Sequence, residues 1–546
     1  MDETTPLLQS QQHHSLSQRR LLVVFPALAL IHFTSFLDQT AISTSLPAIA
    51  SALGLGASSV SLVGASFLIT STSIQLINGR LSDIFGRKAA LVAALAIMGA
   101  GNLWSGFAAT GVQLFVARAF TGFGAGAINA LVQIAIADIT TLEQRGYYFG
   151  MVGMAVAAGN GLGPLVGGGL TQTIGWQWAF WFVCPLCVVG ISYLMAVWPS
   201  SRSGSASASA AQDRIWDKLK LVDWAGAWAS LFSIALLLIP ISQCGSTMSW
   251  ASPAAMSMLI AGTMLFGVFL AVEWRFAKLP LLPARLFYYN RSTNILIGAN
   301  ILIGWIYWGN LFLLPLYLQN VRGASPAQAG VLMLPMVITH GLTSGLTGVL
   351  ISMLGHYKPI IVAGAVCWAL GALAKTQFDQ ATPIWQIVVV GVLDGIGVGC
   401  SLQPVLIGML AGSDTEDRAV LTGLRNFVRD MGGATGTTVS GTILSNVLSG
   451  QLRGRISDRL IGQLISSPFA LEDLPLTGEE RDMITRAHMA GFHAAFTSFA
   501  VLTALHLFSC VWIRDYGLKQ GKARQQQQEH VEEERVQSSR EEQNPI

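Results

Sequence analysis

The stretch Asn78–Lys88, NGRLSDIFGRK, lies between two apolar segments that are each long enough to cross a bilayer. Hydrocarbon offers no water to an exposed backbone, so a charged connection of this kind must lie at a membrane surface and join two helices into a hairpin. The alternative interpretation is an ordinary basic loop that only sets topology. The residues expected to shape and charge this turn are Gly79, Arg80, Asp83, Gly86, Arg87 and Lys88.

The composition extends this prediction to the whole chain. Of 546 residues, 52% are hydrophobic and 11% are charged, which is typical of a polytopic membrane protein and not of several soluble domains. The net charge of +3 gives no indication of nucleic-acid binding. The six cysteines lie in or at the ends of apolar segments without metal-ligand spacing, so we expect no metal site, no cofactor and no structural disulfide.

Apolar windows predict an all-α membrane protein with fourteen transmembrane helices. The predicted spans cover residues 21–49, 59–78, 89–109, 112–136, 147–170, 178–197, 224–241, 255–272, 295–318, 327–351, 359–373, 383–410, 421–447 and 489–513. An even number of spans places both termini on one side, where most of the lysines and arginines fall, while the short loops opposite hold only Arg322 and Lys375. Both termini are therefore predicted to be cytoplasmic.

An internal repeat divides the chain into two similar halves. The glycines of the first turn recur in Gly348–Lys358, and the run Gly122–Gly126 recurs as Gly395–Gly399, at an offset of about 270 residues. Spans nine to fourteen therefore correspond to spans one to six, and spans seven and eight are an insertion. The predicted organisation is a disordered cytoplasmic tail (1–20), a six-helix half (21–198), a linker with two inserted spans (199–293), a second six-helix half (294–513) with a long outer loop (450–488), and a disordered cytoplasmic tail (514–546).

These features resemble the major facilitator superfamily of secondary transporters, in which two parallel six-helix halves surround a site at the bilayer midplane. The turn Asn78–Lys88 is similar to the family's loop between spans two and three. In the fifth span, Gly159–Gly169 (GNGLGPLVGGG) resembles the motif of members that export drugs in exchange for protons. Small residues here predict close helix packing, and a plain packing interface without a transport role is the alternative. The motif residues are Gly159, Gly163, Pro164, Gly167 and Gly168.

Two charged residues within the spans are candidates for proton coupling. Arg118 lies in the fourth span, in a sequence that resembles the family motif whose arginine is associated with coupling; a structural ion pair is the alternative. Asp38 lies in a first-span sequence similar to that of the fourteen-span drug:proton antiporters, and we predict that it carries the proton. Capping or pairing near the outer surface is the alternative role. Arg118 is the expected switch if the two helices meet.

Further polar residues lie in the twelfth span and around the expected cavity. Asp394 aligns with Thr121 in the repeat, and the family implies no acid there. We assign it to a proton, ion or substrate site of this chain, with capping of a glycine-kinked helix as the alternative. The aromatic and polar side chains expected to line a midplane cavity are Trp305, Tyr307, Trp308, Asn310, Asn129, Gln133 and Gln403.

From Leu21 to Ile513 the sequence resembles the fourteen-span proton-coupled efflux transporters that fungi use against toxins. The resemblance implies a monomeric antiporter, not an enzyme, that exports toxic organic compounds or secondary metabolites across the plasma membrane. Its expected partners are protons, the lipid bilayer and an amphipathic or apolar small molecule. The segment Glu3–Leu8 resembles a dileucine sorting signal, which favours the alternative of a vacuolar importer of basic amino acids. A non-transporting nutrient sensor is a further alternative.

Overall fold

The computed structural model describes residues 18–55, 57–198, 224–243, 248–275, 287, 291–413, 417–466 and 477–517. The predicted tails lie outside these ranges except for residues 18–20 and 514–517, and so does the dileucine-like segment. The linker that follows residue 198 also lies outside the described residues.

The described chain is almost entirely helical, which confirms the predicted fold class. The helices that match the fourteen predicted spans are, in order, Gln18–Ala41, Ala57–Phe85, Arg87–Gly106, Gly111–Ile139, Leu142–Thr173, Val183–Val197, Trp224–Gln243, Pro253–Arg275, Arg291–Asn320, Pro326–Leu354, Lys358–Lys375, Ile384–Ala411, Arg418–Leu452 and Gly478–Val511. Three shorter α-helices, Leu46–Leu53, Trp178–Trp181 and Asp458–Ser466, and a 3-10 helix, Ile42–Thr44, extend or connect them. By length and composition, 13 helices in the described ranges are apolar enough to cross a membrane.

Among the fourteen matching helices, the thirteenth, Arg418–Leu452, is too polar to belong to these 13. Its first turns carry Arg425, Arg429 and Asp430, which lower the mean hydropathy. The helix nevertheless packs against the second, ninth and fourteenth helices, and Arg425 is completely buried. Contacts with protein therefore replace contacts with lipid along this helix.

The predicted outer loop 450–488 is shorter in the structure and partly helical. The thirteenth helix continues to Leu452, and the last helix begins at Gly478, before the predicted start of the span. A capping box explains the early start, because the backbone N–H of Glu480 donates to the hydroxyl of Thr477, and the Glu480 carboxylate accepts from the Thr477 backbone N–H at 3.0 Å. Polar sequence beyond a span can thus remain helical.

The two halves meet at the end of the bundle that holds the turn Asn78–Lys88. A methyl group on Gly79 in the second helix would lie 3.0 Å from the carbonyl oxygen of Ala419 in the thirteenth helix. Between the fifth and tenth helices, a methyl group on Gly146 would lie 2.8 Å from the carbonyl oxygen of Gly348. Glycine lets the backbones of the two halves come into direct contact at this end.

The fifth helix packs on the first helix through its glycine motif. Gly159, Gly163 and Gly167 are four residues apart and so share one face. A methyl group on Gly163 would lie 2.9 Å from Cβ of Thr40, and one on Gly167 would lie 2.7 Å from the carbonyl carbon of Ala41. The predicted close packing is therefore present, and its partner is the first helix.

The remaining motif residues complete this contact. The Thr44 hydroxyl donates to the carbonyl oxygen of Pro164 at 3.0 Å, and a methyl group on Gly168 would lie 3.4 Å from the same side chain. On another face of the fifth helix, a methyl group on Gly161 would lie 3.1 Å from Cγ1 of Val337 in the tenth helix. The fifth helix therefore packs against both halves of the molecule.

We predict that Gly167→Ala destabilises the protein, because the added methyl group overlaps the Ala41 carbonyl group and neither backbone can move without separating the helices. Overpacking of this kind costs about 1–3 kcal/mol. Gly169→Ala is the matched control, since an ideal Cβ at Gly169 has nothing within 4 Å. The melting temperature of the purified protein in detergent measures the effect. Equal melting temperatures for the two variants would contradict this packing.

Candidate coupling sites and central cavity

A cavity lies between the two halves of the bundle. It is lined by His32, Phe36, Gln133, Gly153 and Val156 from the first half and by Tyr307, Trp308, His340, Leu402, Gln403 and Arg429 from the second. A few polar groups among aromatic and aliphatic side chains are typical of the lining of a site for a small organic molecule. The cavity volume in this conformation is about 20 Å³, so the two halves are closed around it.

Four of the predicted cavity residues line this space: Gln133, Tyr307, Trp308 and Gln403. Two of them make hydrogen bonds between the halves. The amide of Asn160 donates to the Tyr307 hydroxyl at 3.1 Å, and the amide of Asn426 donates to Oε1 of Gln133 at 3.3 Å. The polar residues of the cavity thus also hold the halves together.

The other three predicted cavity residues lie elsewhere. Asn129 accepts a hydrogen bond from the Ser35 hydroxyl at 3.1 Å, which joins the first and fourth helices. Trp305 packs against Gly436, where a methyl group would lie 2.7 Å from the tryptophan Cα. Asn310 accepts a hydrogen bond from Nζ of the buried Lys375 at 2.7 Å. Each of these side chains packs helices within one half.

Three polar lining residues were not predicted from the sequence: His32, His340 and Arg429. They belong to no recognisable motif. The one feature of the sequence that could have indicated them is that each is a polar residue within an apolar segment. Both ring nitrogens of His32 are buried without a hydrogen-bond partner among the described residues. No group of three His, Cys, Asp or Glu side chains in the described ranges is placed to hold a metal ion.

Asp38 and Arg118 form an ion pair inside the first half. Nη1 of Arg118 lies 3.4 Å from Oδ2 of Asp38, and both side chains are at most 1% exposed. The guanidinium also lies over the rings of Phe67 and Phe180, at 4.4 and 5.7 Å from their centroids. Asn102 of the third helix lies beside Asp38. The expected meeting of the first and fourth helices is therefore present.

A second buried ion pair lies in the other half. Nζ of Lys375 lies 2.7 Å from Oδ2 of Asp394 and donates to Oδ1 of Asn310, also at 2.7 Å. All three side chains are at most 1% exposed. The assignment of Lys375 to an outer loop was therefore wrong, because it is the last residue of the eleventh helix and its side chain is held by the buried carboxylate.

The two pairs lie in the same region of the repeat but join different helices: the first pair joins the first and fourth helices, and the second joins the equivalents of the third and fourth. Asp38, Asn102 and Thr121 correspond by sequence offset to Asn310, Lys375 and Asp394. In the first half, the acid is on the first helix and an amide is on the third. In the second half, Asn310 lies on the ninth helix, Lys375 on the eleventh and Asp394 on the twelfth. These helices are the equivalents of the first, third and fourth. Each half contains an amide, a cation and a carboxylate, on different helices.

The turn between the second and third helices is held by a network around Arg87. Its Nη2 lies 2.5 Å from Oδ1 of Asp83, and its Nε lies 2.7 Å from Oδ2 of Asp138 in the fourth helix. Arg87 also contacts the Ser82 hydroxyl. Asp83 lies four residues before Arg87, so this pair is local in the sequence, whereas Asp138 was not predicted because it is distant along the chain.

The other residues of the turn take separate roles. Arg80 lies 3.7 Å from Asp83, and Nζ of Lys88 donates to the carbonyl oxygen of Met195 in the sixth helix at 3.2 Å. Gly86 has a φ of 90°, a conformation that side-chain-bearing residues rarely adopt. The reversal at this position therefore requires glycine.

Comparison with known proteins relates this architecture to transporters. Residues 28–288 and 296–453 match the family model of the Major Facilitator Superfamily. The chain is similar to citrate exporter 1 of Yarrowia lipolytica (34% identity, covering 93% of this chain and 74% of that protein) and to efflux pump dotC of Dothistroma septosporum (31% identity, 75% and 69%). The crystal structure of the human organic anion transporter MFSD10 has the same fold, with a TM-score of 0.59 at 15% identity, covering 91% of this chain and 100% of that chain.

We predict that Lys375→Met destabilises the protein more than the double change Lys375→Met with Asp394→Leu. The single change leaves a buried carboxylate uncompensated, which costs about 3–5 kcal/mol, whereas replacing a whole buried pair with apolar residues is often neutral. The melting temperature in detergent should fall sharply for the single variant and recover for the double variant. A double variant no more stable than the single one would show that the pair is not an isolated unit.

Proposed function

The chain belongs to the major facilitator superfamily, and on that premise we propose that it is a proton-coupled antiporter that exports small organic compounds. It is a multi-pass membrane transporter and not an enzyme. Relatives named as exporters and efflux pumps support the direction of transport. We place both termini in the cytoplasm, the protein in the plasma membrane, and the working unit as a monomer.

The observation that carries the proposal is the buried pair of Asp38 and Arg118. An isolated carboxylate in a low-dielectric interior is strongly disfavoured in its ionised form and takes up a proton instead. While Arg118 lies beside it, Asp38 can remain ionised. A movement that separates the two helices would favour proton uptake by Asp38, and re-formation of the pair would release the proton. The rings of Phe67 and Phe180 lie beside the Arg118 guanidinium and add a favourable cation–π contact to the pair.

Coupling also requires that the halves move against each other, and the turn around Arg87 is placed to control this. Its ion pairs with Asp83 and Asp138 join the second and fourth helices next to the contact between Gly79 and Ala419. Loss of a charge here would loosen the closed end of the bundle. We therefore assign the turn a role in holding this conformation, beyond topology.

The cavity gives less support to the alternative of an importer of basic amino acids. Arg429 is one of its lining residues, and the described lining contains no carboxylate. The cationic side chain of such a substrate would face the like charge of Arg429, and it would find no carboxylate in the described lining to pair with.

Expression of the protein in a yeast strain lacking its own efflux pumps tests the proposal. We expect the inhibitory concentration of at least one organic toxin in a panel to rise severalfold, and a protonophore to abolish the rise. Uptake of lysine or arginine into isolated vacuoles would instead favour the alternative. No change in resistance to any toxin and no vacuolar uptake would contradict both.

The first transport prediction is that Asp38→Asn abolishes uphill export while leaving substrate binding intact. Asparagine is a neutral mimic of the protonated state and cannot release a proton when it meets Arg118. Proteoliposomes with an imposed pH gradient and the most strongly exported compound of the panel provide the measurement, and Asp482→Asn, at an exposed position, is the control. Uphill transport by Asp38→Asn that a protonophore collapses would place the carrier elsewhere, with Asp394 the next candidate.

The second transport prediction is that Asp83→Asn lowers the export rate at least tenfold while the protein still reaches its membrane. The change removes the partner that lies 2.5 Å from Arg87 and 3.7 Å from Arg80. Export per molecule at the cell surface, compared with Asp482→Asn, measures the effect. An unchanged rate would mean that the turn acts only as a topological signal.

A further inference from the structure

We propose that the cavity binds its substrate through one anionic group, held by Arg429, so that the exported compounds are amphipathic organic carboxylates. The inference rests on the proposed export function and adds the chemical class of the substrate. It concerns the central cavity and not the two buried ion pairs.

Arg429 presents unused hydrogen-bond donors at the cavity. Its Nε donates to Oδ1 of Asp430 at 3.0 Å, and its two terminal amino groups have no hydrogen bond to any described residue. The side chain is 9% exposed, so its charge lies in a largely dehydrated site. A carboxylate is the ligand that matches two adjacent guanidinium donors, since it accepts two parallel charge-assisted bonds.

The charge around Arg429 is positive overall. Asp430 is shared, because its Oδ2 accepts from Nε2 of Gln75 at 2.8 Å. Arg425 lies one turn earlier on the same helix and is completely buried. Among the described residues it donates to two uncharged partners, the Asn426 amide oxygen at 2.8 Å and the Leu402 carbonyl group. Two guanidinium groups thus share one carboxylate, and a bound anion would supply the missing negative charge.

The remaining polar groups of the lining add donors. His32 is fully buried with both ring nitrogens unpartnered, and Nε2 of His340 is also unpartnered among the described residues. A neutral imidazole always carries one N–H group. The Tyr307 hydroxyl accepts its bond from Asn160 and so keeps its own O–H for a ligand. Acceptor atoms of a substrate satisfy the N–H and O–H groups, while the second nitrogen of His32 and the unpartnered Oε1 of Gln403 are acceptors that remain for donors.

The rest of the lining determines the body of the substrate. Phe36, Val156 and Trp308 form apolar walls on both sides of the half interface. One arginine with free donors matches one carboxylate, and the apolar walls match a hydrophobic or aromatic remainder. A compound with several carboxylates would leave charges against these walls without partners.

Three probes of nearly equal shape test the inference: 1-naphthoate, 1-naphthamide and 1-naphthylmethylammonium. Binding to the full-length protein in nanodiscs is measured by titration calorimetry, with empty nanodiscs subtracted. We expect naphthoate to bind at least tenfold more tightly than the amide and the ammonium compound to bind most weakly. Arg429→Gln should remove the preference for naphthoate over naphthamide, and Arg429→Lys should retain part of it. Arg322→Gln, which lies outside the cavity lining, is the matched control.

Equal or tighter binding of naphthamide or of the ammonium compound to the unmodified protein would overturn the inference, whether or not the Arg429 variants fold. A naphthoate preference that survives Arg429→Gln would overturn the role of Arg429. The two proposals fail separately. Proton-driven export of neutral compounds without a naphthoate preference would contradict only the substrate class, whereas a naphthoate preference without proton-driven transport would contradict only the coupling.

Discussion

Hydrocarbon cannot solvate an ion, and this constraint decides where every charge inside the bundle can lie. Asp38 and Arg118 neutralise each other across the first and fourth helices, and Lys375 and Asp394 do so across the eleventh and twelfth. A pair buried in this way fixes two helices at one separation and one register. The same pair becomes unfavourable when the helices separate, so the interactions that stabilise this conformation also determine the electrostatic cost of leaving it.

The repeat shows that this constraint can be met in more than one way. Both halves contain a buried amide, cation and carboxylate in the same region of the repeat, but on different helices. An arginine remains charged in any protein environment, whereas a lysine can lose its proton when buried. The pair in the first half therefore has one group that can titrate, and the pair in the second half has two. The halves share a fold without sharing their electrostatics.

Much of this was predictable from the sequence, because hydrophobic length and charged turns follow directly from the bilayer. The fourteen helices, the repeat, and the pairing of Asp83 with Arg87 are local or periodic features. The partners that were missed are distant along the chain: Asp138 for Arg87, and Lys375 for Asp394. Lys375 was assigned to a loop because a lysine at the end of an apolar run is typical of the start of a loop. The sequence does not show that the buried carboxylate of Asp394 lies beside it. His32 and Arg429 belong to no recognisable motif, and they line the same cavity only because the two halves meet there.

The polar thirteenth helix has a consequence for how the chain enters the membrane. Translocon-based scales assign a cost of about 2.5–3.5 kcal/mol to each arginine at the centre of an inserting helix. Arg425 and Arg429 lie in the first turns, where the cost is smaller than at the centre, but two arginines and Asp430 still lower the tendency of this segment to insert as an independent unit. The ninth helix, which it contacts through Gly432 and Gly433, is synthesised earlier and can already be in the bilayer when the thirteenth emerges. Biogenesis of the second half therefore depends on retention of an early helix near the site of insertion, and changes at that glycine contact should affect the yield of inserted protein before they affect its activity.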